Sequence, residues 1–311
     1  MQNQSKTLSK TGEPQWTILK LLKWTTSYFN SHDIDNPRAA AEILLAHTLK
    51  VNRIDLYLRY DQPLYSSELS NFKVLIKRRI NREPIAYIVG SKEFWGMELF
   101  ITKDVLIPRP ETECLVETIL SFLPEKTDGT SKRVLELGTG SGAVILALAA
   151  QRKKHLFFAS DRIVKAVELA QKNAKHHGLD GSINFFSGDW FAPFDNDINP
   201  FDIIVSNPPY IQTQVIGRLQ PEIFMYEPVM ALDGGEDGLQ SINHIIRFAH
   251  LYLSKTGYMF LEIGHDQKSE VEKIIDSCNQ FKEVVFKKDY SGYYRIVQMR
   301  KKEICNENTK D

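Results

Sequence analysis

Cysteine is scarce in this chain: three residues in 311, at Cys114, Cys278 and Cys305. Their odd number and wide spacing exclude a disulfide framework and match no zinc motif, so reduced thiols in a cytoplasmic protein are expected. Neither sign of charge is in excess, with 39 Lys+Arg against 39 Asp+Glu and a formal net charge of +0. That balance excludes a surface given over wholly to nucleic acid, while leaving room for a local basic patch. Long apolar runs are missing too. The most apolar stretch, residues 143–150, is far shorter than the ~20 residues that cross a bilayer. Residues 1–10 are polar and carry lysine with no apolar centre, so no signal peptide is expected there. No internal repeat and no low-complexity tract interrupts the chain. What remains is an ordinary globular composition, 42% hydrophobic and 25% charged, with length enough for one large domain and a smaller appendage.

Residues 14–80 read as helical. Ile18, Leu21, Leu22, Thr25 and Phe29 recur at helical spacing, as do Ala40, Ile43, Leu44 and His47, and then Leu69, Phe72, Leu75, Ile76 and Ile80. Pro14 and Pro37 suit first helical turns, and Asp35 and Asn36 offer capping side chains before the second helix. His47 lies on an apolar stripe, which favours a core or boundary residue over a ligand. From Pro84 to Thr102 aromatic and β-branched residues surround glycines, the pattern of a hairpin. Beyond it, apolar strand-like runs at 133–137, 156–160, 183–186, 201–206, 257–263, 283–286 and 295–299 alternate with helical stretches. Such alternation predicts an α/β domain with a mostly parallel sheet covered on both faces. The last two runs are too close for a crossover helix and should form an antiparallel hairpin.

The first run leads into Glu136, Leu137, Gly138, Thr139, Gly140, Ser141 and Gly142, a strand bending through glycines into a helix. Glycine lets the backbone turn sharply and a ligand approach where a Cβ would clash. Dinucleotide folds use a similar turn, so the turn alone is a weak signal. Two details favour S-adenosylmethionine over NAD: the Gly138-x-Gly140-x-Gly142 spacing, and the acid Glu136 inside the strand end. A second acid, Asp161, closes the next strand, placed to accept from ribose hydroxyls. A third, Asp189, follows the third strand beside Trp190, an acid for an adenine amino group next to a ring that can cover the base. Singly, Asp161 would serve equally as a helix cap, Trp190 as core and Glu136 as the partner of a basic neighbour. Their order at successive strand ends is what carries the reading, since open α/β sheets bind ligands along that edge.

The run at 201–206 delivers Asn207, Pro208, Pro209 and Tyr210. A residue before proline is held extended, and two prolines remove two N–H donors while keeping their carbonyls. Hydrogen-bond acceptors are what methyl transfer to a planar nitrogen needs. An amide or exocyclic amino nitrogen gains positive charge as it attacks, and its N–H groups become stronger donors. The Asn207 side-chain oxygen and the Pro208 carbonyl are candidates to accept them, with Tyr210 walling or stacking on the planar group. No dedicated base is needed if the proton leaves after transfer. Glutamine and adenine suit this cradle equally, and a Pro-Pro pair alone is also common loop punctuation.

Three further segments are distinctive: Arg82 to Gly90 (REPIAYIVG), Glu93 to Gly96 (EFWG) and Leu106 to Glu113 (LIPRPETE). With Glu136 to Gly142, Asn207 to Tyr210 and Tyr226-Glu227-Pro228, they make the chain resemble the HemK/PrmC family of release-factor N5-glutamine methyltransferases over roughly residues 15–300. The resemblance implies a class I, Rossmann-like S-adenosylmethionine-dependent methyltransferase fold preceded by a small helical domain. It further implies methylation of the glutamine in the Gly-Gly-Gln motif of class 1 peptide chain release factors, either free or on the ribosome. Neither a membrane nor sequence-specific nucleic acid would then be a partner, and no metal is expected. Catalysis would fall to Asn207, Pro208 and Tyr210, and the glutamine amide to Asn207, Pro208, Pro209 and Tyr210. Glu136, Gly138, Thr139, Gly140, Ser141, Gly142, Asp161, Asp189, Trp190 and Asn207 would hold the cofactor. Two positions depart from the family pattern: Glu136 stands where aspartate is usual, and Ser160 where a small apolar residue is commoner.

The expected division is a flexible segment at 1–13, a helical substrate-recognition domain at 14–83, a β-hairpin linker at 84–108, a catalytic domain at 109–300 and a polar tail at 301–311. The segment 107–110 reads as hinge and helix cap more readily than as catalytic machinery. Three other readings stay open: a glutamine methyltransferase of a ribosomal protein, an adenine-N6 nucleic-acid methyltransferase, and a binding module without activity.

Overall fold

The computed structural model describes residues 15–125, 131–195 and 198–303; the segment expected at 1–13 and all but residues 301–303 of the tail expected at 301–311 lie outside them, and Lys301 still belongs to the last strand. The chain forms two compact units, one up to Val89 and one from Gly90.

The first unit is helical: α1 (Ile18–Asn30), α2 (Pro37–Leu49), α3 (Arg53–Leu58), α4 (Ser66–Ile80) and α5 (Ile85–Val89). The α1 stripe is buried as its spacing requires, Ile18, Leu21, Leu22, Thr25 and Phe29 all facing inward. In α2 the buried face centres on Ala41, Leu44 and Leu45. At about 100° per residue that centre turns His47 outward, and it is exposed rather than core or boundary. Asn36 does precede α2, but in the left-handed region (φ 49°) and without a side-chain cap. Pro37 meets the first turn instead, where its missing N–H costs nothing.

The segment 84–102 is not one hairpin. Tyr87 and Ile88 donate their N–H groups to the Pro84 carbonyl, so the proline opens the short helix α5 despite the β-branched residues that follow. The second unit starts with a true hairpin, β1 (Ser91–Phe94) and β2 (Met97–Phe100). A 3-10 turn at Pro110–Thr112 then leads into α6 (Glu113–Leu120).

The remaining strands are β3 (Arg133–Leu137), β4 (Leu156–Asp161), β5 (Ile183–Ser187), β6 (Phe201–Ser206), β7 (Leu253–Glu262), β8 (Phe281–Lys288) and β9 (Tyr294–Lys301). Their spatial order is β5-β4-β3-β6-β7-β9-β8. Pairing from β5 through β7 is parallel, and β9 runs against both β7 and β8, which gives the expected terminal hairpin. The interleaved helices are α7 (Ala143–Gln151), α8 (Val164–His176), α9 (Thr213–Ile216), α10 (Pro221–Phe224), α11 (Gln240–Tyr252) and α12 (Lys268–Cys278). Leu135, Ile204, Met259, Leu261 and Val297 of the sheet pack with Ile242, Ile245 and Ile246 of α11 and Val271 and Ile275 of α12 in one buried cluster. Burial of these aliphatic side chains at roughly 25 cal/mol per Å² is the main force holding the strands in register.

This topology positions the site. The chain leaves β3 toward β4 and β5 on one side, then returns to β6 and β7 on the other. The crevice between the carboxyl ends of β3 and β6 is therefore the switch point where open α/β sheets bind ligands. Leu137 pairs with Ser206 there, and the Ser206 hydroxyl donates to the Leu137 carbonyl at 2.7 Å. Among the described residues no helix is long and apolar enough to cross a membrane.

Candidate active site

The turn after β3 requires glycine for two distinct reasons. Gly142 sits at φ +84°, and a Cβ there would meet Leu146 Cδ1 at 3.0 Å and Ala170 Cβ at 3.2 Å. Gly138 (φ +73°) has open space where its Cβ would be, bounded by the Trp190 ring at 3.8 Å. So the first glycine keeps a space clear, and the last lets α7 pack on α8. Asn173 of α8, wholly buried, braces the turn from behind. Its Nδ2 donates to the Ser141 and Phe100 carbonyls at 2.8 and 3.0 Å, and its Oδ1 accepts from Phe100 N–H at 2.7 Å. Nothing in its sequence surroundings marks this residue.

Glu136 is buried (3% exposed). It accepts from the Thr139 hydroxyl at 2.6 Å and from Ile145 N–H at 3.3 Å. Burial pushes its carboxyl up to about 8, against the lowering effect of those two donors. Asp161 closes β4 and is half-buried; loss of water raises its pKa while backbone donors oppose the rise. One oxygen accepts from Gly140 N–H and the other from Ile163 N–H, both at 2.9 Å. A carboxylate has about four lone-pair sites, so Asp161 caps the loop and still has two acceptor positions left.

Asp189 is exposed after β5, and Trp190 is half-buried with φ +50°. A positive φ on a bulky aromatic residue costs on the order of 1 kcal/mol or more and persists where the surroundings enforce it. Here it brings the indole over Gly138. Glu136, Gly138, Thr139, Gly140, Ser141, Asp161, Asp189, Trp190 and Asn207 all line one cavity of about 540 Å3, within the usual size of small-molecule sites. Gly142 does not line it.

A second cavity, about 290 Å3, adjoins the first. Asn207, Pro208, Pro209 and Tyr210 line it together with Glu262 and Arg295. Leu106, Arg109, Asn207, Pro209 and Ala231 face both cavities, so Asn207 stands at their junction. Its Nδ2 donates to Thr112 Oγ1 at 3.2 Å. The Thr112 hydroxyl donates to Glu262 Oε2 at 2.7 Å, and the Tyr210 hydroxyl to Glu262 Oε1 at 3.3 Å. Glu262 closes β7 and is buried, which pushes its carboxyl up to about 7, while Thr112 and Arg295 pull it down. Burial also holds the Tyr210 phenol above its ordinary value, so it stays a donor.

The segment 107–110 is not a free hinge. Arg109 Nη2 donates to Glu227 Oε1 at 2.6 Å, and Ile107 N–H to Glu227 Oε2 at 3.2 Å. Ile107, Pro108 and Glu227 are buried. Charge-assisted bonds to a buried carboxylate are among the stronger ones, and this pair fixes the segment as a wall of both cavities. Sequence reasoning missed Thr112, Glu227 and Glu262 as site residues; Tyr226-Glu227-Pro228 was distinctive only by resemblance.

Two family models match the chain: the PrmC N-terminal domain over residues 20–90 and the methyltransferase small domain over residues 112–236. A methyltransferase from Pyrococcus furiosus shares the fold, with a TM-score of 0.50 at 17% identity, covering 77% of this chain and all of that one (100%). Fold and matched domain together define a class I methyltransferase, an enzyme that takes its methyl group from S-adenosylmethionine. The release factor glutamine methyltransferase of Geobacter sulfurreducens is 39% identical over 91% of this chain and 96% of its own. That of Coxiella burnetii is 40% identical over 85% of this chain and 92% of its own. The chain belongs to the release factor glutamine methyltransferase family. The larger cavity suits the cofactor chemically, with a glycine turn kept clear, an indole face and a carboxylate at three successive strand ends.

Proposed function

We propose that this chain transfers a methyl group from S-adenosylmethionine to the side-chain amide nitrogen of the glutamine in the Gly-Gly-Gln motif of class 1 peptide chain release factors, in the cytoplasm, modulating translation termination. Family membership supports the substrate class. The observation that carries the chemistry is Asn207 at the junction of two cavities, with its N–H end already bound to Thr112. Its oxygen is thereby left as the acceptor.

In this reading Gly138, Thr139, Gly140 and Ser141 shape the cofactor pocket, and Gly142 sets the turn's geometry. Asp161 accepts from the ribose hydroxyls with the lone pairs its backbone donors leave over. Asp189 and Trp190 would receive the adenine edge and face, and Glu136 would supply a carboxyl to the cationic part. When bound, the cofactor supplies an electrophilic methyl carried on a sulfonium sulfur, which leaves with the bonding electron pair. Asn207 Oδ1 and the Pro208 carbonyl accept the two N–H groups of the glutamine amide, aligning its nitrogen and stabilising the positive charge that develops there. Pro209 and Tyr210 wall the amide plane. The nitrogen sheds its extra proton to solvent after transfer, so no side chain need act as a base. A partner held mainly by protein contacts, free or on the ribosome and without direct readout of nucleic-acid sequence, fits the balanced charge.

The test incubates the protein with S-adenosylmethionine and, separately, a class 1 release factor, a ribosomal protein and DNA, and maps methylation by mass spectrometry. Modification of the Gly-Gly-Gln glutamine is expected. An unmodified glutamine beside a methylated adenine or ribosomal protein would overturn the assignment.

A further inference from the structure

Thr112 and Glu262 lie 95 and 55 residues from Asn207 in sequence, yet with it they form one chain of hydrogen bonds along the two cavities, Thr112 lining the larger and Glu262 the smaller. The direction of that chain follows from the donor inventory. Both oxygens of Glu262 accept, one from Thr112 and one from Tyr210. A threonine hydroxyl has one proton, and Thr112 spends it on Glu262. Toward Asn207 it therefore presents a lone pair, and only the Nδ2 end of the amide can meet it. Thr112 and Glu262 are 4% and 2% exposed, so bulk water is poorly placed to substitute for either partner. We infer that Thr112 and Glu262 are positioning residues that fix the orientation of the Asn207 amide, so that its oxygen, and not its NH2 group, faces the nitrogen to be methylated.

The reverse orientation aims an N–H donor at a substrate group that is itself a donor, losing an acceptor where charge develops and adding a repulsion. The charged and titratable groups facing Glu262 are Arg295, Glu111 and Tyr210, with Arg109 beyond Tyr210. Arg295 opposes the burial that raises Glu262 to about 7, so the carboxyl is an ionised acceptor above that pH, and transfer is measured at pH 8. The inference rests on the glutamine-amide reading above, and its test separates the two.

Transfer to release factor is measured in single turnover for wild type, Thr112→Val, Thr112→Ser, Glu262→Gln, Asn207→Asp and the double variant Asn207→Asp/Glu262→Gln. Melting temperature and S-adenosylmethionine affinity are measured alongside. Valine keeps the shape of Thr112 without its hydroxyl, and should slow transfer roughly ten- to hundredfold, the weight of one well-placed buried hydrogen bond. Cofactor affinity should move less than about threefold, and serine should restore most of the rate.

The decisive comparison is one of sign. Glutamine at 262 can donate to Thr112, releasing the threonine proton toward residue 207, so Glu262→Gln should slow the enzyme that carries Asn207. Aspartate at 207 has no N–H to give and meets the Thr112 lone pair unfavourably. There the same Glu262→Gln change should raise the rate severalfold. A purely structural Glu262 would lower it in both backgrounds, and that result overturns the inference, as does Thr112→Val at wild-type rate. A wild type that leaves the glutamine unmodified sinks the underlying reading and, with it, the relay's role in transfer.

Discussion

Glutamine at position 136 would keep the shape of Glu136 and remove its titration. Glu136 is buried at the end of β3, and burial raises its carboxyl from 4.5 to about 8. The sign follows from linkage: a raised carboxyl stays protonated in the folded chain over a pH range where the unfolded chain has released the proton. Its stabilising contribution is complete below pH ~4.5 and is lost as pH rises toward about 8. The slope is at most about 1.4 kcal/mol per pH unit, so two units cost the folded state about 2–3 kcal/mol. Urea unfolding of wild type and Glu136→Gln at pH 5.5 and pH 7.5 measures this directly. Wild type should lose that much more stability than the variant over the interval. Glu262, raised in the same direction, contributes to both proteins and cancels in the difference. A cation in the larger cavity should also draw the Glu136 proton off. Binding of S-adenosylmethionine at pH 7 should then release a fraction of a proton, up to about one, seen by calorimetry in buffers of different ionisation enthalpy, and the variant should release less. Parallel stability profiles for the two proteins, or equal proton release, would refute the reasoning.

Three further changes probe the site. Asn207→Ala should slow transfer at least a hundredfold, the scale of losing a preorganised donor or acceptor at developing charge, while cofactor affinity by calorimetry shifts less than about threefold; equal loss of both would make Asn207 chiefly a cofactor ligand. Trp190→Ala should weaken S-adenosylmethionine binding roughly tenfold through lost stacking of about 1–2 kcal/mol, with the saturated transfer rate little changed. Glu227→Gln should raise KM for the release factor more than it lowers kcat, because the 107–109 wall loosens while Asn207 keeps its partners. Arg109 is 30% exposed, so water screens part of that loss and the drop in melting temperature should be only a few degrees.

The parallel part of the sheet was legible in the sequence because β3 to β6 are compact runs, each with its site residue at its last position or one or two beyond it. Gly138, Asp161, Asp189 and Asn207 are therefore found by reading forward from a strand. Helix boundaries were less legible where one residue outweighs the composition around it. Pro84 starts a helix through Ile85 and Val89, which on propensity favour strands, because its carbonyl finds N–H donors three and four residues on. His47 looked buried because it shares the α2 period with Leu44, but the buried face is set by what packs on it, and that face turns away from position 47.

Thr112 and Glu262 show a different limit. Each sits where a modest local explanation suffices, Thr112 in a turn that starts α6 and Glu262 at the end of a buried strand. A hydrogen bond leaves no trace in the periodicity of either partner when 150 residues separate them. Asn207 was found because the strand and prolines around it constrain the backbone. Those features position the residue, but they say nothing about rotation of its amide by 180°, which exchanges oxygen for NH2 at nearly constant shape. Only a partner of fixed polarity resolves that choice. Here that partner reaches the site from β7 through a threonine that local pattern assigns to a turn.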